Sequence, residues 1–374
     1  MEEERDRMNQ LPDDILLLIL GKMDTFEAVK TTILSHRWKH LWRLVPSLRF
    51  HLSCDSKDLT IRFSHLVSRC LSHRDSAAAV HDFHLSLDVP RFSLVDYEFL
   101  DEIVEECVLY AINHDVQSIR VDTNQSLTLP VAFISCKTLQ ELDLRRSYLV
   151  YVPGRLSLPN LKTLYLETGF FFRGNHNEVE PFSGLPELEK LTLIGSFKNG
   201  LVIKAPKLRV LEITTTCVVK EIYTPLLTSF RYESDRAWKC ATVNLPMLEQ
   251  VHLDIYLTNP WYNYRHHIHF VKMLHQFETA TIVSLTLDTL RVLEFNGGPF
   301  EQTPPPPFPN MKCLKVIEGR HGIRTVFQGV MNYLTGTLYS EVEFPPNVTV
   351  VEQIFDIDYY EQYGGSDSNY TDSD

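Results

Sequence analysis

A hexapeptide of the form Leu-x-x-Leu-x-Leu, with conservative replacements, recurs through most of this 374-residue chain and usually follows a proline. It reads LQELDL at 139–144, LKTLYL at 161–166, LEKLTL at 188–193, LRVLEI at 208–213, LTSFRY at 227–232 and LEQVHL at 248–253. IVSLTL (282–287), LRVLEF (290–295) and MKCLKV (311–316) continue it. The first apolar positions lie 22, 27, 20, 19, 21, 34, 8 and 21 residues apart. Apolar residues at every second position predict a short strand with one buried face. One such strand cannot bury that face alone, so the units must stack into a shared core.

Most of these intervals match the roughly 20–29 residues of a leucine-rich repeat. The intervals of 34 and 8 sum to 42, about two periods, which predicts one distorted repeat. Weaker units lie upstream: VQSIRV (116–121) after a predicted helix over 97–113, FHLSL (83–87) and LRFHL (48–52). The expected fold class is α/β. Residues 51–320 form a horseshoe-shaped solenoid with parallel strands on its concave face. Beyond it, a helix over 323–334 and the stretch EVEFPPNVTVVEQIFDI predict a C-terminal cap at 321–358. The acidic tail 359–374, YYEQYGGSDSNYTDSD, has no apolar periodicity and predicts disorder.

Ahead of the repeats, an acidic tail (1–5) precedes three predicted short helices. Pro12 suits a first helical turn, where Asp13 and Asp14 meet the positive end of the helix dipole. Apolar residues at 11, 15, 16, 19, 20 and 23 follow. Thr25 is a candidate cap for a second helix reaching Leu34, and Ser35 for a third. The third carries LSHRWKHLW (34–42), with Trp38 and Trp42 four residues apart and therefore on one face. A unit this small cannot bury two indoles and an Ile/Leu stripe by itself. Either the next domain or a partner covers the excess.

Charge narrows the choice of partner. The formal net charge is −12, which argues against an electrostatic nucleic-acid binder. The 7 cysteines (54, 70, 107, 136, 217, 240 and 313) show no CxxC pair, so reduced thiols are expected instead of disulfides or a zinc ribbon. The N-terminus MEEERDRMNQ lacks the apolar run of a signal peptide, and Ile15–Leu20 is too short to span a bilayer. Sequons at Asn124, Asn347 and Asn369 are accordingly expected to stay unmodified. The reading is a soluble protein of the cytoplasm or nucleus, with no membrane or nucleic-acid partner.

Residues 6–50, DRMNQLPDDILLLILGKMDTFEAVKTTILSHRWKHLWRLVPSLRF, resemble the F-box of the plant F-box/leucine-rich-repeat family. The shared features are Leu11-Pro12-Asp13-Asp14, the Ile/Leu helix, Leu34-Ser35-x-Arg37-Trp38-x-x-Leu41-Trp42 and Pro46-Ser47-Leu48-x-Phe50. SCKTLQELDL (135–144) and FPNMKCLKV (308–316) extend the resemblance to about residue 320. It implies the substrate-recognition subunit of a Skp–cullin–F-box ubiquitin ligase, in which the F-box docks a Skp-type adaptor and the repeats select a protein for ubiquitination. It also implies adaptor contacts at Leu11, Pro12, Ile15, Leu16, Ile19, Trp38, Leu41 and Trp42. One indole facing the repeat domain is the alternative. Asp24 stands where many relatives carry proline, which should alter the turn between the first two helices. The C-terminal domain of Trp and Leu positions found in many relatives is not evident after residue 320. A leucine-rich-repeat scaffold acting outside a ligase is the competing reading.

The residue between the last two apolar positions of each unit should face solvent. That row reads Asp143, Tyr165, Thr192, Glu212, Arg231, His252, Thr286, Glu294 and Lys315. Its mixed charges, hydroxyls and aromatics suit a protein target better than a phosphate. Tyr165, Glu212, Arg231 and His252 are candidate substrate contacts. Two aromatic connecting segments, ETGFFFRGNHN (167–177) and TNPWYNYRHH (258–267), add Phe171, Trp261 and Tyr262. The alternative for these aromatics is packing back over the repeats.

His266, His267 and His269 lack partner spacing for a metal, and Pro304–Pro307 reads as a spacer before a strand. No GxSxG, HExxH or phosphate loop occurs. No cofactor, metal or catalytic step is expected of this chain.

Overall fold

The computed structural model describes residues 10–89, 97–147, 149–152, 156–167, 169–172, 182–195, 201–215, 219–235, 240, 242–256, 270–294, 305–336 and 341–352. The chain divides into two compact units, Met1–Leu253 and Asp254–Asp374. Trp261 and Tyr262, the histidines at 266–269 and the tail after 352 lie outside the described residues.

The first unit opens with the three expected short helices: α1 (Asp13–Leu20), α2 (Thr25–Lys30) and α3 (His36–Leu41). Tight turns Thr31–Ile33 and Trp42–Leu44 follow the last two. Asp24, not Thr25, caps α2, its Oδ1 accepting from Phe26 N at 2.8 Å. The turn between the first two helices therefore gains a capping carboxylate. Thr25 is buried, and its Oγ1 accepts from the backbone N of Arg49 at 2.9 Å. Ser35 precedes α3 without a side-chain capping bond.

The repeats follow. Strand β1 (Ser47–Ser53) leads through helix α4 (Lys57–His73) to β2 (Asp82–Asp88), and helix α5 (Tyr97–Asn113) leads to β3 (Ser118–Thr123). Shorter units alternate thereafter: β4 (Leu127–Thr128), β5 (Glu141–Arg145), β6 (Leu149–Val152), β7 (Thr163–Glu167), β8 (Gly169–Phe172), β9 (Lys190–Gly195) and β10 (Leu201–Lys204). Strands β11 (Val210–Thr215), β12 (Val219–Tyr223), β13 (Ser229–Ser234), β14 (Thr242–Asn244) and β15 (Gln250–Ile255) complete the series. The main sheet runs β1-β2-β3-β5-β7-β9-β11-β13-β15, and every neighbouring pair from β1 to β13 is parallel. Two small parallel sheets, β4-β6-β8 and β10-β12-β14, line the return path.

The recurring proline has a local cause. In Leu158-Pro-Asn-Leu161, Leu185-Pro-Glu-Leu188, Ala205-Pro-Lys-Leu208 and Leu245-Pro-Met-Leu248 the fourth N–H donates to the first carbonyl. Proline presets the second position of such a β-turn. The turn then delivers two successive N–H groups to one carbonyl of the previous repeat, as Arg209 and Val210 do to Glu189 O. This fixes register, and Phe83, Ile119, Leu142, Leu164, Leu191, Leu211 and Phe230 align as one rung, each no more than 1% exposed. Full burial of a side chain of this size contributes about 1.5–3 kcal/mol. Gly184 marks a tight crossing: a Cβ there would lie 1.8 Å from Leu156 O.

In the second unit a helix over 270–275 (α6) precedes β16 (Ile282–Thr286) and α7 (Leu287–Glu294). Strands β17 (Cys313–Ile317) and β18 (Thr325–Phe327), helix α8 (Gln328–Thr335) and strands β19 (Glu341–Glu343) and β20 (Thr349–Val351) follow. The LRVLEF strand expected at 290–295 is a helix instead. The interval of 8 residues is therefore not a repeat: apolar positions 287, 290 and 293 recur at helical spacing, and Thr286 Oγ1 accepts from Thr289 N. The helix expected over 323–334 starts later, because 325–327 form β18. Strands β19 and β20 do not pair with each other; they join β17 and β18 respectively, in parallel.

Candidate protein-interaction surfaces

The helical unit has a small core of its own: Leu16, Leu20, Ala28, Trp38, Leu41 and Val45, with Leu11, Leu17, Ile19 and Met23 packed against it. Ile15–Leu20 is apolar throughout, and six consecutive residues on an α-helix cannot all face one side. Leu16 and Leu20 turn inward, while Ile15 (42% exposed) and Leu18 (64%) remain on the outside. Ile33 (87%) and Leu34 (62%) are exposed as well. Pro12 is exposed and Leu11 and Ile19 are half-buried.

This divides the adaptor residues implied by the resemblance. Leu11, Pro12, Ile15 and Ile19 retain surface. Leu16, Trp38, Leu41 and Trp42 are 0%, 3%, 4% and 6% exposed, so they build the interior of this chain. This burial has a simple geometry: Trp38, Leu41 and Val45 are spaced 3 and 4 residues apart and close over α1. Trp42 is buried but stands outside that cluster, with the Arg43 guanidinium 6.0 Å from its ring centroid. Leu18 is exposed because a run apolar on all sides must leave some members outside, and Ile33 and Leu34 lie in the turn between α2 and α3.

Basic residues of α3 also have an internal use. Arg37 Nε donates to Asp13 Oδ1 at 2.7 Å, and its Nη2 donates to Leu11 O. Phe26 anchors the unit to the repeats, 5.4 Å from Phe50 on β1 and 5.7 Å from Phe63 on α4, centroid to centroid. Burial of the Asp24 carboxyl raises its pKa against the lowering effect of its backbone bonds.

The second surface is the open face of the main sheet. Its central row aligns Arg49, His84, Arg120, Asp143, Tyr165, Thr192, Glu212 and Arg231. Four members or neighbours form a connected group. Arg145 Nε donates to Asp143 at 2.8 Å and its guanidinium lies 4.5 Å from the Tyr165 ring, whose hydroxyl donates to Glu167 at 3.3 Å. Thr192 is nearly buried and donates to Glu212, which also lies 3.7 Å from Lys190. Arg231 is exposed. Beyond it, His252 on β15 is half-buried with an unpartnered Nε2. Burial and the Arg231 charge lower its pKa to about 4, so it is neutral at pH 7.

Two positions leave the expected row, and a third leaves its expected connecting segment. Thr286 is buried and donates to Asp254 at 2.8 Å, and Glu294 is buried on α7, accepting from Phe327 N at 2.8 Å and Arg291 at 2.7 Å. Phe171 lies on β8, in register with Tyr151, and not on a connecting loop.

Asp288 completes this polar interior of the second unit. Its Oδ2 accepts from Arg320 N at 2.6 Å and its Oδ1 lies 3.0 Å from His321 Nδ1. The sequence placed Glu294 on the open face and gave no sign of Asp288; their backbone partners lie 33 and 32 residues away. Among the described residues no group of three or more metal-capable side chains converges, and no helix is long and apolar enough to cross a membrane.

Comparison with known proteins matches residues 8–50 to the F-box domain. An F-box/LRR-repeat protein of Arabidopsis thaliana is 31% identical over 240 residues, covering 56% of this chain and 74% of the relative. An F-box/FBD/LRR-repeat protein of the same plant is 32% identical over 189 residues, 50% of this chain and 42% of the relative. An FBD-associated F-box protein is 32% identical over 272 residues, 68% and 64% of the two chains. The chain thus spans about half the length of several of the relatives it matches.

Proposed function

This chain belongs to the plant F-box/leucine-rich-repeat family, and from that premise we propose that it is the target-selecting subunit of a Skp–cullin–F-box ubiquitin ligase. F-box domains generally bind a Skp-type adaptor, and through it this chain meets a cullin. The observation that supports the reading is the exposed set Ile15, Leu18, Ile33 and Leu34, displayed on a helical unit whose core is already complete without them. Apolar side chains left outside a closed core are the material of a desolvated hot spot.

The repeats then present the open sheet face, with Tyr165, Glu212 and Arg231, to the protein to be modified. No bond is made or broken by this chain. A conjugating enzyme carries ubiquitin, and the receptor contributes proximity by holding a target lysine near it. The place of action is the cytoplasm or nucleus, and the boundaries are those read from the sequence: F-box 6–50, repeats 51–320, cap 321–358.

Co-purification with the adaptor tests this. An Ile15→Asp/Leu18→Asp chain should fold, by circular dichroism, and lose the adaptor. A Leu11→Ala/Pro12→Ala chain should behave alike. Undiminished capture by both would overturn the ligase reading and leave a repeat scaffold acting alone.

A further inference from the structure

One stretch of the open sheet face carries positive charge that its surroundings balance only in part. Arg49, His84 and Arg120 stand in register on three adjacent strands. With strands about 4.8 Å apart, the two arginines sit about 10 Å from each other with the imidazole between. The nearby carboxylates are committed elsewhere. Asp143 accepts two bonds from Arg145 Nε, at 2.8 and 3.0 Å, and reaches Arg120 only at 3.8 Å. Asp122 is held by Arg146 Nε at 2.5 Å, and Asp88 lies 3.8 Å from the same guanidinium.

Arg49 donates from Nε to Gly21 O at 3.2 Å and has no carboxylate partner among the described residues. Arg120 Nε and His84 Nε2 are buried without hydrogen-bond partners. Burial first, and then the flanking charges of Arg120 and Arg49, lower the pKa of His84. The stretch is therefore cationic through its arginines alone, with a neutral imidazole between them at pH 7.

We infer that Arg49 and Arg120 hold an acidic segment of the captured polypeptide, each guanidinium taking one Asp or Glu side chain. The inference rests on the reading of this face as the target-binding surface. Guanidinium groups pair with carboxylates through two parallel N–H···O bonds, which gives direction as well as attraction. A chain in the polyproline II form has three residues per turn and rises about 3.1 Å per residue, so carboxylates three residues apart share one side and match the arginine separation. A continuous polyphosphate fits poorly, because Asp122 and Asp143 border the stretch and the whole chain carries −12. Discrete acidic side chains satisfy the two cations without lying over those acids.

The probe is a library of random dodecapeptides displayed against the full chain, followed by anisotropy titration of the selected peptides. The expected winners carry paired Asp or Glu about three residues apart, bind more weakly as salt rises, and lose about tenfold in affinity with Arg49→Gln or Arg120→Gln. Arg120→Glu should transfer the preference to peptides with Lys or Arg at one of the two positions. Melting curves check that each variant stays folded. Winners without acidic residues, bound equally by wild type and both Gln variants, would overturn the inference while leaving the face as a binding surface. If no peptide is enriched over a chain altered at Tyr165 and Arg231, the inference and the reading beneath it both fall.

Discussion

Arg37 on the third helix reaches back to Asp13 at the start of the first, Nε to Oδ1 at 2.7 Å, and closes the helical unit across 24 residues of sequence. The same guanidinium takes the carbonyl of Leu11, so it fixes the chain just before α1 as well. Both side chains remain partly in water, at 32% and 60% exposure, which limits the ion pair itself. Arg37→Ala should cost about 1 kcal/mol in urea unfolding, mostly through the lost charge-assisted bonds. Arg37→Lys should recover only part, because an ammonium cannot reproduce the planar fork. Full recovery by lysine would show that charge alone matters.

Trp38 and the outward residues of α1 should separate cleanly by experiment. Trp38→Ala leaves a cavity beneath α1 and should cost about 3–5 kcal/mol in stability. Ile15→Ala removes surface already in contact with water and should change stability by less than about 0.5 kcal/mol while weakening adaptor binding. Equal melting temperatures for the two variants would contradict the burial of Trp38.

Phe26 should couple the helical unit to the first repeat. Its ring meets Phe50 and Phe63, so Phe26→Ala loosens two contacts at once. The expected result is a loss of about 3 kcal/mol and faster proteolytic cleavage between α2 and β1. Phe26→Leu should restore most of it.

Gly319 and Asp288 set a steric test in the second unit. A Cβ on Gly319 would lie 2.5 Å from Asp288 Oδ2, an oxygen that already accepts from Arg320 N. Asp288 is buried and cannot easily yield. Gly319→Ala should therefore destabilise by about 1–3 kcal/mol and speed hydrogen exchange at Arg320. Paired with Asp288→Ala, which removes the obstacle, the two losses should be less than additive.

His252 predicts an acid response. Its pKa is lowered from 6.5 to about 4 in the fold, so the unfolded chain takes up the proton first as pH falls. Its contribution is present in full above pH 6.5 and is lost as pH falls from 6.5 towards 4, by at most about 3 kcal/mol. His252→Gln should flatten the stability–pH curve in that window. Arg231→Ala should lessen the slope by a smaller amount, since burial is the larger cause.

The main-sheet strands of the first unit could be read from the sequence because their period of two fixes the buried face and the proline turns announce most entries, whereas the short strands β4, β6, β8, β10, β12 and β14 carried no such repeat. Segment 290–295 misled for a physical reason: Leu-x-x-Leu-x-Leu contains both a three-residue and a two-residue spacing, and only tertiary packing chooses between them. Trp38 and Trp42 were legible as one face but not as to what covers it, since helical spacing says nothing about the neighbour. Phe26 gave no pattern at all. The acids Asp254, Asp288 and Glu294 would be expected on the surface, and only long-range partners explain their burial.

The join through Phe26 and Thr25 turns the first unit into a ruler. The three short helices are joined to β1, and each further strand lies about 4.8 Å along the sheet. A residue on the open face therefore has an address, counted in strands from the helical end: Arg49 on the first, Arg120 on the third, Tyr165 on the fifth. Inserting or deleting one repeat below a contact would keep its chemistry and shift its address by one step. The distance of any open-face residue from the helical unit is set by counting strands.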